Sequence, residues 1–142
     1  MIILPYSDGD FDGVVALWRE TGIFKPYDDP KSEIARIQKN SNCLLYIGRE
    51  GQGPDGRVVA SILVGHDGYR GWIYKLAVAE SHRGKGIGRR LMDEAVTWGR
   101  GHGAVEVVLT TWVGNEEAEA FYRRLGYREL SRVLYAPIGP AS

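Results

Sequence analysis

Residues 83–88 read Arg-Gly-Lys-Gly-Ile-Gly, with Arg89 and Arg90 directly after them and no acid among the eight. Before this stretch, Trp72-Ile-Tyr-Lys-Leu-Ala-Val78 is β-prone. After it, Ile87, Leu91, Met92, Ala95 and Val96 recur at helical spacing. A strand therefore runs through a basic, glycine-rich turn into a helix. The start of a helix carries N–H groups without intrahelical acceptors and a partial positive charge. Gly84, Gly86 and Gly88 let the backbone approach a ligand closely. The chemistry such a corner suits is the holding of an anion, a phosphate above all.

The spelling separates the phosphate loops. A dinucleotide fingerprint starting at Gly84 needs a glycine where Arg89 stands, and a Walker A loop fails at the same place and lacks its Lys-Ser/Thr. Metal chemistry has little to draw on. His66 falls in a turn, His82 beside the glycine-rich loop and His102 in a Gly-rich loop, and Cys43 is the single cysteine, so no metal is expected. Cys43 reads as a small buried residue rather than a nucleophile.

The elements that must position this corner belong to an ordinary globular chain of 142 residues, 44% hydrophobic and 25% charged, read as a single domain over residues 1–142. Lys plus Arg equals Asp plus Glu at 18 each, so no global field favours nucleic acid or an anionic membrane. The N-terminus lacks the features of a signal peptide, no apolar run is long enough for a span, and one cysteine forms no internal disulfide, which together predict a cytoplasmic protein.

Alternation at Ile2, Leu4 and Tyr6 predicts a first strand with Pro5 at an edge or strand end. Ser7 and Asp10 have capping-box spacing before a helix ending near Gly22, and Asp29-Pro30 opens a second helix reaching about Asn40. Residues 24–29 connect them. Residues 43–50 and 58–64 form a hairpin around a turn at 51–56, and the turn at 65–71 extends it to the strand ending at Val78. The helix after Gly86 stops around residues 99–103. Residues 105–112 follow as a strand parallel to the one before the helix. A short helix over 116–125, a last strand over 127–138 and a frayed tail complete the chain. The fold class is α/β: a mixed sheet of about six strands, four helices on its two faces, and a parallel pair at strands four and five.

Arg83, Gly86 and Gly88 fit the Q/R-x-x-G-x-G/A signature, and Asn115, Ala118, Phe121, Tyr122, Gly126 and Tyr127 resemble N-x-x-A-x-x-F-Y-x-x-x-G-Y/F. Both are signatures of the GCN5-related N-acetyltransferases, and the element order is similar too. The turns at 67–71 and 26–30 resemble those of small bacterial members. The resemblance implies acetyl-CoA between two splayed strands. Its pyrophosphate would lie at Arg83, Gly84, Lys85, Gly86, Gly88 and Arg89, and its pantetheine along Leu76, Ala77 and Val78 with Asn115 reaching the same arm. An N–H near Ala77 or Val78 would face the oxyanion, and Tyr122 would protonate the departing thiolate. It further implies direct acetyl transfer to a primary amine, either a small molecule or a peptide N-terminus or lysine. After Tyr127 the chain has room for one strand, so the acceptor cleft is either open or closed by the second subunit of a homodimer. Glu106, Asp28, Asp29 and Tyr74 are the candidates for a general base, none of them assigned. A CoA-sensing module without catalysis is the alternative.

Overall fold

The computed structural model describes residues 1–24, 28–51 and 56–139. Parts of the expected connections at 24–29 and 51–56, and the end of the tail, lie outside the described residues. The chain divides into two compact units, Met1–Leu109 and Thr110–Ser142.

The first unit is a five-stranded sheet in the order β1 (Ile2–Pro5), β2 (Cys43–Glu50), β3 (Arg57–His66), β4 (Arg70–Val78), β5 (Glu106–Leu109). The first four strands pair antiparallel and β4 pairs parallel with β5. Pro5 ends the edge strand, where its missing N–H breaks no inner ladder. The parallel pair needs a crossover, which α3 (Ile87–Gly101) supplies. In the β3–β4 turn, Asp67 accepts from the N–H groups of Arg70 and Tyr69 and from Trp72 Nε1, and these bonds hold its carboxyl at about 2.

Two helices stand between β1 and β2. A 3-10 turn (Asp8–Asp10) leads into α1 (Phe11–Glu20), and Ser7 N donates to Asp10 Oδ2 at 2.9 Å, the reciprocal half of the expected capping box. Asp10 is only 2% exposed and is ion-paired with Arg49 of β2. Helix α2 (Pro30–Lys39) starts as its sequence dictates: Asp29 accepts from Lys31 N at 3.2 Å and from Ser32 Oγ at 2.6 Å, and Pro30 fills the first turn.

Every residue from Val59 to Gly65 on β3 is buried, which requires cover on both faces of the sheet. Trp18 of α1 donates its Nε1 to Ser61 Oγ at 2.8 Å, so α1 lies on the Ser61 face. His66, which points to the other face of β3, has its ring centre 5.5 Å from that of Trp98 of α3, which places α3 on the opposite face. Lys75 touches both Trp18 and Glu33, so α2 shares the side of α1.

The second unit contains α4 (Glu116–Arg124) and a segment over 127–139 without regular structure. The last strand expected over 127–138 is not formed, so the described residues hold five strands rather than six. A strand exists only through a neighbour's ladder, and the second unit contains no other strand among its described residues. The apolar residues that suggested it, Leu130, Val133, Leu134, Tyr135 and Ile138, are exposed.

Candidate active site

The glycine-rich loop has the conformation its composition asks for. Gly84 and Gly86 have φ of 76° and 79°, the left-handed region that glycine enters without strain. A Cβ at either position would meet nothing within 4 Å, so glycine serves the backbone here and the adjoining space is open. Gly86 caps α3 without a side-chain bond, and no acid stands in the first turn. The helix makes its first bond from Arg90 N to Gly86 O at 3.1 Å. The amides of Ile87, Gly88 and Arg89 therefore have no acceptor within the helix, and its positive end carries no carboxylate of its own.

Three contacts fix the base of this loop. Glu80 N donates to Glu20 Oε2 at 2.9 Å, and His82 Nε2 lies 2.6 Å from Glu50 Oε2. The His82 bond, with lesser help from the charges of His82 and Lys85, holds the Glu50 carboxyl below its ordinary range. Arg83 Nε turns back and donates to Val78 O at 3.2 Å. The side chain of Arg83 thus ties the loop to β4, while Lys85 and Arg89 stand exposed.

The edge of β4 is set by its pairing. β5 accompanies it only from Arg70 to Ile73, so within the first unit the edge beyond has no strand beside it. On the other side the register with β3 slips between Ser61 and Leu63, and Lys75 takes a φ of 55°, which together form a bulge. Ala79 N donates to Val59 O at 2.8 Å. Antiparallel bonds alternate, so Ala77 is the next residue bonded to β3, and the main-chain groups of Leu76 and Val78 turn to the open edge. Leu76 and Val78 are half-buried and Ala77 is buried. Of the three residues expected to pair an extended ligand, Leu76 and Val78 turn their main-chain groups to the open edge, where the Val78 carbonyl already accepts from Arg83, and Ala77 has given its own to β3.

In the second unit, Asn115 caps α4, its Oδ1 accepting from Ala118 N at 3.2 Å. The cap uses the oxygen of the amide and leaves its two N–H donors out. Tyr122 packs edge-on against Phe121 and Tyr127, with ring centroids 5.1 and 5.9 Å away. Burial, with a smaller contribution from Tyr127, pushes its phenol up to about 12.

The candidate bases fare unevenly. Glu106 is ion-paired with Arg70 at 2.5 Å, at the end of the parallel pair remote from Val78. Asp29 is taken up in capping α2. Tyr74 is 48% exposed and stacks on Trp72, and burial pushes its phenol up, so phenolate is scarce. Asp28 is half-buried and lies outside any helix or strand. Cys43 is half-buried and its Sγ lies 3.5 Å from the carbonyls of Ile37 and Asn40, with burial raising the thiol, as a packing residue behaves. Sequence reasoning missed one pair: Glu33 of α2 is ion-paired with Lys75 at the β4 bulge. Lys75 gave no local signal, because a bulge depends on the partner strand.

Solved structures share this fold over nearly their whole length. The apo aminoglycoside 6'-N-acetyltransferase AAC(6')-IG of Acinetobacter haemolyticus matches with a TM-score of 0.80 at 19% identity, covering 99% of this chain and 100% of that one. An aminoglycoside N-acetyltransferase, AAC(6')-Iy, in complex with CoA matches at 0.81 and 17%, covering 96% and 93%. An acetyltransferase of Trypanosoma brucei matches at 0.75 and 21%, covering 96% and 99%. At these identities the likeness shows the fold. The model of the acetyltransferase (GNAT) family, whose members use acetyl-CoA, matches residues 12–127, a span that takes in the glycine-rich loop, the open β4 edge, Asn115 and Tyr122. The chain belongs to the acetyltransferase (GNAT) family.

Proposed function

We propose that this chain is an N-acetyltransferase that moves an acetyl group from acetyl-CoA directly to a primary amine, with residues 1–142 serving as one transferase domain. The observation that carries the reading is the helix start of α3, free of acids and opened by two left-handed glycines, directly beyond a stretch of β4 that β5 leaves uncovered. Solved structures of the same fold include aminoglycoside N-acetyltransferases, which supports an amine as acceptor class.

Acetyl-CoA supplies the activated thioester, and the residues of the chain do the rest. The amides of Gly84, Lys85, Gly86, Gly88 and Arg89 hold the diphosphate, with the side chains of Lys85 and Arg89 adding positive charge. Arg83 holds the loop against β4 through Val78 O. Leu76 and Val78 pair the amide-like arm, and the N–H of Val78 faces the oxygen on which negative charge develops. Asn115 offers its N–H donors to the same arm. Tyr122 holds a proton at Oη throughout the neutral range and gives it to the leaving sulfur.

Calorimetric titration with acetyl-CoA tests the foundation. The protein is expected to bind one equivalent, and Gly86→Val to weaken binding. A β-branched residue at this φ costs about 1–3 kcal/mol of strain, which corresponds to about fivefold to 150-fold in Kd when the loop distorts to relieve it. Absence of binding by the folded wild-type protein would end this reading.

A further inference from the structure

Lys75 is the one non-glycine residue with positive φ among the described residues. Such strain persists where the surroundings enforce it, and here they do. Trp18 Nε1 donates to Ser61 Oγ at 2.8 Å, and Ser61 Oγ donates in turn to Lys75 O at 2.8 Å. The side chain of Lys75 crosses to the α1 and α2 side. Its Nζ sits 5.2 Å from the centre of the Trp18 ring and 5.8 Å from that of Phe24, and it is ion-paired with Glu33. The two charged side chains are 18% and 19% exposed, so each is largely desolvated yet reachable from solvent.

A pair of apolar residues would hold α2 against β4 at least as well, since a desolvated ion pair is weak evidence for stability. What the cluster does offer is recognition. Two aromatic faces and a carboxylate form a receptor for an ammonium ion, presently filled by Lys75. Leu76 and Val78, whose main-chain groups face the open edge, follow it directly in the chain. An amine acceptor approaching there arrives protonated and needs a carboxylate to bind. If it takes Glu33, Lys75 is left without a counter-charge among aromatic rings, unless the acceptor also carries an anion.

We infer that Glu33 and Lys75 form the acceptor-recognition pair, and that the acceptor is an amine bearing its own carboxylate, an amino-acid-like zwitterion that exchanges partners with both residues. The inference rests on the transferase reading above. In the transfer, the C–N bond forms as the C–S bond breaks. Of the two protons the ammonium loses, one passes to solvent and one ends on sulfur.

Thiol release with matched amines tests it: L-phenylalanine against phenethylamine, and L-lysine against cadaverine, with acetyl-CoA binding measured alongside on every protein. The wild-type protein is expected to favour the amino acid by about tenfold or more in kcat/KM, because a site built for a charged group rejects the analogue lacking it. Lys75→Met is expected to erase that preference by raising KM for the amino acid, and Glu33→Gln to lower kcat/KM for both members of each pair. Equal or reversed preference in the wild-type protein, no turnover of either amino acid by protein that binds acetyl-CoA, or a preference that survives in folded Lys75→Met would overturn the assignment. Failure to bind acetyl-CoA would overturn the transferase reading itself. The wild-type comparison stands even if a variant does not fold.

Discussion

Tyr122→Phe is expected to lower thiol release by about 10²–10⁴-fold while acetyl-CoA binding and the unfolding transition stay where they were. The phenyl ring keeps the edge-on contacts to Phe121 and Tyr127, so only the hydroxyl is lost. The sign of the pH dependence follows from the raised phenol. An acid must carry its proton to act, and with a pKa of about 12 Tyr122 does so across the whole working range. Turnover should therefore rise with pH as the acceptor amine sheds its proton, with no alkaline fall attributable to Tyr122 below about pH 10. A Tyr122→Phe protein with wild-type turnover would remove the residue from the mechanism. A protein that binds acetyl-CoA but turns over no amine, with or without the hydroxyl, would point to a sensing module instead.

Arg49→Met should be the most damaging substitution for stability, at about 3–5 kcal/mol, because it strands a buried carboxylate. Asp10 is nearly inaccessible and, among the described residues, would retain only the donors of Ser7 after Arg49 is removed. Urea unfolding measures the loss as a lower midpoint at constant slope. The companion Asp10→Asn/Arg49→Met should recover part of the loss, because the neutral amide still accepts from Ser7 N and no charge is left unpaired. A single substitution costing under about 1 kcal/mol would mean that solvent reaches Asp10 after all.

Elements fixed by local chemistry were legible in the sequence. The Asp29 cap with Pro30 marks the start of α2, and the apolar stripe from Ile87 to Ala95 marks α3. The bounds of β2, Cys43–Glu50, match because Gly and polar residues punctuate both ends. Strand β5 is shorter than the β-prone run around it, and residues 127–138 form no strand, because pairing rather than propensity decides both. Within the site, the glycine-rich loop was legible from its spelling. The return of Arg83 onto Val78 O, the capture of Glu106 by Arg70 and the meeting of Glu33 with Lys75 were not, since each is settled by which strands and helices come to lie together.

The bulge in β4 has a consequence beyond its own geometry. Ahead of it, Trp72 and Tyr74 stand opposite Gly65 and Leu63; after it, Ala77 stands opposite Ser61. The strand thus changes phase by one residue in mid-course. Were the register of Trp72 and Tyr74 continued by the same sequence without a bulge, Leu76 and Val78 would give their amides to β3, and Ala77 would face the open edge in their place. Deleting Lys75 would place Ala77 two residues after Tyr74, so the ladder would run on without a bulge and still leave Leu76 and Val78 at the edge. The alignment of this edge is a matter of parity, and the pairing with β3 beyond the bulge sets it.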